Sequence, residues 1–450
     1  MSFVAQKREV QEERLQLLQN IVIVTVMEVR DPVHGPIEIN DKEKAILDHP
    51  LFQRLRRVRQ LGFGEIAFPG ATHTRFLHSL GTMHLAGIAF DRIFDGISML
   101  PRHEKQRLRQ TLRLAALLHD LGHPPLSHSG ERVLPCASEE DCAPMTHEEM
   151  STFLIESSSL GDLIDSLWKD EGVCRMAVAS LLKDDHADES FFLYKGFSFR
   201  PLLRQLISSE LDCDRMDYLM RDSYFTGVAY GRFDRDWLLS HLGARDQEKR
   251  FLLVLDARAL FTFEDFLLSR LHMFLMVYLH HKTVIYDRML GKFLEATNLR
   301  MKKDPEGFVY WDDEYLWRLI SASDDPWAKR LWCRKPLSLV IEVWDEQANR
   351  LAMVKDDFDK DIEWIDSLVE FSKYFKTKGG SEADMPLVSY GESLARVDEV
   401  SDLFQRQKDR RRVLRGFVDD SMEVSRQRRL RRSMLSMIGK KQGSKMALCS

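Results

Sequence analysis

The 450-residue chain has no run near the roughly 20 consecutive apolar residues that a membrane-spanning helix needs. Its most apolar stretch, IVIVTVMEV at 21–29, is short and β-branched and reads as a buried strand. The opening residues, MSFVAQKREVQEE, are too charged for a secretory signal, so the expected compartment is cytoplasmic, with no membrane partner. Cysteine is sparse. Cys136, Cys142, Cys174, Cys213, Cys333 and Cys449 form no CxxC pair, which excludes a zinc knuckle and a secreted disulfide scaffold. Cys213 reads as a small buried filler. There is no internal repeat and no long low-complexity segment. Nor is positive charge in surplus: 65 Lys and Arg stand against 70 Asp and Glu, a balance of −5 that argues against wholesale electrostatic binding of nucleic acid.

That balance hides an asymmetry. Residues 401–450, with RQKDRRRVLR and RQRRLRRS, hold 14 basic against five acidic residues, so the tail is near +9 and the remainder near −14. A solvated helix face or a subunit contact accounts for such a run. Contact with nucleic acid or a polyphosphate ligand is the alternative, although few aromatics are present there to stack on bases.

The rest reads as a mainly α protein. A hydrophobic share of 44% and a charged share of 30% are ordinary for a globular chain, and the length allows two or three domains. A charged helical pattern covers 5–19, and the turn-rich DPVHGPIEI after the first strand predicts a β-hairpin within 1–40. Helical periodicity then dominates 41–300, with helices expected over 148–168, 200–222 and 258–299, and further ones over 313–321 and 325–333. Near Pro336 the character changes: LSLVIEVW predicts a strand and TKGGSEADMP a loop, so 301–450 is expected to be a smaller α+β region ending in the basic tail.

Four residues carry the chemistry: His78 in TRFLHSLG, the pair His119 and Asp120 in LAALLHDLGHPPLSHSGE, and Asp214 in LDCDRMDY. Two imidazoles and two carboxylates suit a divalent transition metal and leave positions for water and a substrate oxygen, as hydrolysis requires. A His-Asp dipeptide alone is commonly a surface or capping pair. Here it closes LRLAALLHD, an apolar helical run that belongs in a core, where unpaired burial of either residue is costly. A partner or a metal is therefore expected. His123 lies four residues after His119, on the same face if the helix continues, and His128, Glu131 and His147 follow.

RDPVHGPIEI, FQRLRRVRQLG, FPGATHTRFLHSLG, HDLGHPPLSH, THEE and DRMDYLMRDSYFTG, in that order, resemble the HD-domain phosphohydrolases, and within them the deoxynucleoside triphosphate triphosphohydrolases. The resemblance runs from about Val29 to Asp234, continues more loosely to Tyr278 and fades in the last hundred residues. It implies a helical HD-domain core and hydrolysis of dNTPs to deoxynucleoside and inorganic triphosphate. By that resemblance His78, His119, Asp120 and Asp214 hold a divalent ion (Mn, Fe, Zn, Ni or Mg), with Mg on the triphosphate. Arg75 contacts phosphate. His123, His128, Glu131 and His147 form the catalytic group, a carboxylate fixing a histidine tautomer for acid/base work. Gln60, Leu61, Tyr218 and Asp222 cradle the deoxyribose, and Tyr278 closes against C2′ so that a ribose hydroxyl has no room. Arg215 and Arg270 face the triphosphate. After Tyr278 the family's glutamine is replaced by Leu279.

The resemblance also implies regulation. Asp48, Gln53 and Arg56 match residues that read a guanine base at a subunit interface, so a GTP or dGTP activator and a homo-oligomer, dimer or tetramer, are expected; a plain amphipathic helix explains FQRLR equally simply. Met27 stands where a phosphate-binding lysine is expected and Arg30 replaces an asparagine, both departures at the second nucleotide subsite. No sterile-alpha-motif domain is expected before residue 30. Two other readings compete: an HD-type nuclease or phosphodiesterase acting on nucleic acid or cyclic nucleotides, and a nucleotide sensor with a purely structural metal. The sugar set Gln60, Leu61, Tyr218 and Tyr278 argues against the first, and the extra histidines against the second.

Overall fold

In a computed structural model, the protein is described over residues 27–137, 143–183, 189–358, 360–370, 386–406 and 410–439. The helix expected at 5–19, the first part of the 21–29 strand and most of the TKGGSEADMP loop lie outside the described residues. The architecture is mainly α, with a two-stranded sheet at the N-terminal side and two further sheets toward the C-terminal side.

The hairpin pairs β1 (Met27–Asp31) with β2 (Gly35–Ile39), Met27 opposite Ile39 and Asp31 opposite Gly35. Asp31 builds the turn: its Oδ1 accepts from the backbone N–H of Val33 and of His34, a side chain doing the work of a backbone turn bond. Gly35 follows at φ +76°, a conformation that suits glycine. Ile37 and Ile39 point into the core and are fully buried.

Three helices form the centre. Arg75–Asp95 is buried on nearly every face, as expected of a helix packed on both sides, and it lies against Arg102–Leu118 and Cys213–Thr226. The Arg102–Leu118 helix is polar at first and wholly buried over LRLAALL, so it runs from surface to core and delivers His119 at its end. Glu43, in the helix Asp41–Leu47 with its Asn40 capping box, pairs with Arg113 at 2.7 Å and ties that helix to the centre.

Several expected helices are broken for local reasons. The 148–168 segment divides at Ser158, whose hydroxyl caps a new helix by accepting from Leu160 N, giving His147–Ser157 and Ser159–Leu167. The 200–222 segment divides into Arg200–Gln205 and Cys213–Thr226, because Asp212 caps the second through Arg215 N while holding Ser209 N. In 258–299, Leu260–Met273 widens into a π turn at Phe274–Tyr278, and His281–Thr297 starts afresh. The helices Asp313–Ala322 and Pro326–Trp332 and the strand β7 (Ser338–Trp344) fall where expected.

The larger sheet has the order β10-β9-β6-β4-β3, with β5 paired to β6. Here β3 is Leu193–Tyr194, β4 Phe197–Ser198, β5 Leu242–Gln247, β6 Arg250–Asp256, β9 Leu387–Tyr390 and β10 Ser393–Arg396. A three-stranded antiparallel sheet sets β11 (Arg410–Val418) between β7 and β8 (Glu363–Glu370). The basic helix Val424–Gly439 buries Met434 and Ile438 in the core of this sheet, leaving its arginine-rich face outward. No helix among the described residues is long and apolar enough to cross a membrane.

Candidate metal centre and active site

The ends of the three central helices meet at one point. His78 lies one turn into Arg75–Asp95, His119 directly follows Leu118, Asp120 opens the turn beyond it, and Asp214 sits in the first turn of Cys213–Thr226. His78 Nε2 is 2.9 Å from Asp214 Oδ1, 3.2 Å from His119 Nε2 and 3.4 Å from Asp120 Oδ2. His119 Nε2 is 3.4 Å from Asp120 Oδ1 and 3.5 Å from Asp214 Oδ1. A metal bound at about 2.0–2.2 Å by nitrogen and oxygen donors puts neighbouring donors about 3 Å apart at right angles and a little more at tetrahedral angles. His78, His119 and Asp214 each bring one donor atom close enough to the others to hold an ion, with Asp120 beside them.

The backs of both imidazoles are fixed. His119 Nδ1–H donates to Ala116 O at 2.8 Å, and His78 Nδ1–H donates to Asp217 Oδ2 at 2.7 Å. Each ring thus turns the Nε2 lone pair toward the cluster. Burial opposes a charge on His78, but hydrogen bonds to Asp214 and Asp217 and the charges of Asp120 and Asp217 overcome it and lift its pKa to about 10. His119 is also raised against burial, by Asp120 and Asp214, while those imidazoles hold Asp214 far below the usual carboxylate range despite its burial. The cluster favours positive charge, and His78, His119 and Asp214 could hold a metal ion there.

The expected continuation of the helix to His123 does not occur. It ends at His119, and a tight turn carries His123 against His147 instead, rings stacked 3.9 Å apart, with His128 edge-on at 4.8 Å from His123. Glu131 Oε1 accepts from Nδ1 of both His128 and His147 at 2.8 Å, and His147 Nε2 lies 3.4 Å from Glu148 Oε1. These two bonds and charges outweigh burial and hold Glu131 at about 2. His123 Nε2 is 3.2 Å from Asp120 Oδ1 but off the hydrogen-bonding line, so among the described residues neither of its ring nitrogens has a hydrogen-bond partner. Burial, Arg75 and His147 keep it neutral.

Arg75 spans the two groups, donating to Asp120 Oδ2 at 2.5 Å, Ser127 Oγ at 2.9 Å and Gln60 O at 3.4 Å. Arg75, Asp120, Asp214, His123, His128 and His147 border one cavity of about 400 Å³, lined also by Gln60, Leu61, Tyr218, Asp222 and Tyr278, while His78, His119 and Glu131 lie behind that lining. Tyr278 O–H donates to Asp222 Oδ2 at 2.8 Å, and His73 bonds Asp222 Oδ1 at 2.7 Å. Gln60 Oε1 is buried with no hydrogen-bond partner among the described residues. Leu126 and Ser127, on the cavity rim, are held at φ 58° and 55°, backbone strain of a kind that collects at functional sites.

Arg215 and Arg270 do not line the cavity. Arg215 pairs with Asp212 at 3.2 Å, and Arg270 lies 3.9 Å from Glu210 and over the Phe274 ring. Asp48, Gln53 and Arg56 are gathered on the surface: Gln53 bonds Leu47 O, Arg56 Nε donates to Gln53 Oε1 at 2.8 Å, and the Arg56 guanidinium lies 3.5 Å over the Phe76 ring. Cys213 is buried, as a filler should be. Sequence reasoning assigned no role to Asp217, His34, His73, Gly81, Phe274, Thr283 or Asp287. Asp217, His34 and Gly81 lie inside the quoted motifs DRMDY, DPVHG and HSLG, and that position was the available signal.

The HD-domain family model matches residues 75–222, and the HD associated region matches 233–356. A protein of Mycoplasma pneumoniae is 32% identical over 383 residues, covering 78% of this chain and 84% of its own length. A Bacillus subtilis protein, YwfO, is 34% identical over 282 residues, covering 62% of this chain and 57% of its own length. Human deoxynucleoside triphosphate triphosphohydrolase SAMHD1 is 35% identical over 231 residues, 48% of this chain and 36% of that protein. Among solved structures, a hypothetical protein from Aquifex aeolicus has a TM-score of 0.70 at 27% identity, covering 92% of this chain and all of that one.

Proposed function

This chain belongs to the HD-domain phosphohydrolases, and from that premise we propose that it hydrolyses deoxynucleoside triphosphates to the deoxynucleoside and inorganic triphosphate. One observation carries the reading: Asp214 of the metal-capable group His78, His119 and Asp214 borders the same cavity as Asp120, Arg75, His123 and the polar residues Gln60, Tyr218, Asp222 and Tyr278. The likeness to SAMHD1, named for that activity, supports it.

His78, His119, Asp120 and Asp214 would hold the ion, which when bound polarises a phosphoryl oxygen and acidifies water. Arg75 spends three of its five N–H groups on Asp120, Ser127 and Gln60 and keeps two for a phosphate. His123 stays neutral beside it and can accept or give one hydrogen bond at the same phosphate. Glu131 accepts the Nδ1–H of both His128 and His147, so each Nε2 is the acid/base atom, and a ring that carries a second proton on Nε2 gives it to the leaving 5′-oxygen. Asp222, held by His73 and Tyr278, accepts the 3′-hydroxyl. The Tyr278 ring closes the space at C2′, and Gln60 Oε1 offers an acceptor to the sugar.

The test is incubation with each dNTP and rNTP in Mn²⁺, with chromatographic separation of products. Deoxynucleoside plus triphosphate from dNTPs, poor turnover of rNTPs and loss of both in His119→Ala are expected. Mononucleotide or pyrophosphate as product would instead support a nuclease or phosphodiesterase. Regulation by GTP or dGTP at Asp48, Gln53 and Arg56 belongs to the same proposal, because Arg56 bonds Gln53 and the charge of Asp48 acts on Arg56. Asp48→Ala should raise the activator concentration required, and light scattering of the parent with GTP should show a dimer or tetramer; identical rates and masses with and without guanine nucleotide would remove this part.

A further inference from the structure

Behind His78 lies a buried ionic assembly that reaches the N-terminal hairpin. Asp217 Oδ2 accepts from His78 Nδ1 and from Arg221 Nε at 2.9 Å, and Asp217 Oδ1 accepts from Arg221 Nη2 at 2.8 Å and faces His34 Nε2 at 2.6 Å. The protonation of His34 follows from its other nitrogen. Arg235 Nη1 lies 2.7 Å from His34 Nδ1, and a guanidinium only donates, so Nδ1 accepts and Nε2 carries the hydrogen given to Asp217. Asp217 thus has four donors for its four lone-pair positions, all but closing its hydrogen-bonding capacity. The turn that presents His34 is built by Asp31, whose Oδ1 takes the Val33 and His34 amides and whose Oδ2 takes Arg221 Nη1 at 2.7 Å. The side chains of His34, Asp217 and Arg221 are all fully buried.

We propose that His34 is a positioning residue of the metal centre: carried by the β1–β2 hairpin, it fixes Asp217, which in turn fixes the tautomer and aim of His78. The hairpin is then part of the metal site although none of its residues reaches the ion. Partners that orient a ligating imidazole set metal affinity, and their loss costs about 10–100-fold. The inference rests on the metal reading of the His78 cluster and is independent of which nucleotide is hydrolysed.

The experiment is Mn²⁺ titration of the metal-free protein, with bound ion counted by electron paramagnetic resonance, for the parent, His34→Ala, His34→Gln and Arg235→Met. Glutamine can place an N–H near the imidazole Nε2 position. The expected result is an affinity about 10-fold or more weaker in His34→Ala, largely restored in His34→Gln, whose metal-free unfolding stays near the parent's. Arg235 is partly exposed at the surface, so its variant folds even if His34→Ala does not, and it should weaken Mn²⁺ in the same direction by a smaller factor. Parent-like affinity in His34→Ala, or in Arg235→Met where the alanine variant is insoluble, overturns the proposal. Equal loss in the alanine and glutamine variants together with a fall in metal-free stability overturns it too, since His34 is then only packing. No Mn²⁺ binding by the parent would instead sink the metal reading itself.

Discussion

A Cβ added at Gly81 would lie 1.8 Å from Asp217 Oδ1 and 2.4 Å from Arg221 Nη2, distances that no side-chain rotation on Gly81 can relieve. The glycine of HSLG is there so that a buried carboxylate can approach the helix that carries His78. Gly81→Ala must push Asp217 away, which strains the core and breaks the bond to His78 Nδ1 at once. Overpacking of this kind costs about 1–3 kcal/mol. Urea unfolding of Gly81→Ala should show a loss of that size, with weakened Mn²⁺ retention; parent-like values of both would mean that Asp217 has slack the distances deny. At this scale the sequence was legible where chemistry is local. His78, His119 and Asp214 lie together with Asp120 beside them, while Asp217 and His34, 183 positions apart, carry no pairing signal in the chain.

The elements that shape the pocket were harder to read than those that shape the core. Long apolar periodicity marked Arg75–Asp95 and Arg102–Leu118 reliably, because burial on many faces leaves few alternatives. The π turn Phe274–Tyr278 was read as plain helix, since widening one turn changes no residue type; yet it turns Phe274, Val277 and Tyr278 together into the cavity. The β5–β6 hairpin was likewise missed. Its turn residues Glu248 and Lys249 take φ of 52° and 64°, where Asn-Gly would have announced the turn. The π turn makes its own prediction. If the Tyr278 ring is the barrier to a ribose hydroxyl, Tyr278→Ala should narrow the rate ratio of dGTP to GTP by about 10-fold or more, as expected for removal of a steric wall. Tyr278→Phe keeps the ring, loses only the bond to Asp222 and should leave that ratio near the parent's. A ratio that moves in the phenylalanine variant as much as in the alanine variant would assign selectivity to Asp222 instead.

Across the whole molecule, the segment 54–59 joins the loop after His119 to the HD associated region. Arg54, fully buried, donates to the carbonyls of Leu121, His123 and Trp311, and Arg57 pairs with Asp312. Asp313 completes the joint, Oδ1 accepting from Leu126 N at 2.7 Å and Oδ2 from Arg59 N at 2.9 Å, and so it holds the strained rim of the cavity from outside the 75–222 core. None of this was legible in the sequence, where Asp312 and Asp313 read as an ordinary helix start. Burial pushes the Asp313 carboxyl up to about 7, with the two backbone bonds pulling the other way. The folded state then binds a proton that the unfolded chain releases near its ordinary 3.8, so this contribution to stability is full below about pH 4 and is lost as pH rises through about 7. The whole shift corresponds to about 4 kcal/mol as an upper bound. Urea unfolding of the parent and of Asp313→Asn at pH 5 and pH 8 should show the parent losing about 1–3 kcal/mol more than the variant over that interval, because asparagine has no proton to lose. Parallel losses in the two proteins would show that Asp313 is ionised throughout and grips Leu126 and Arg59 as a carboxylate, in which case the joint between the two regions is a charge-assisted one and its strength should not change with pH.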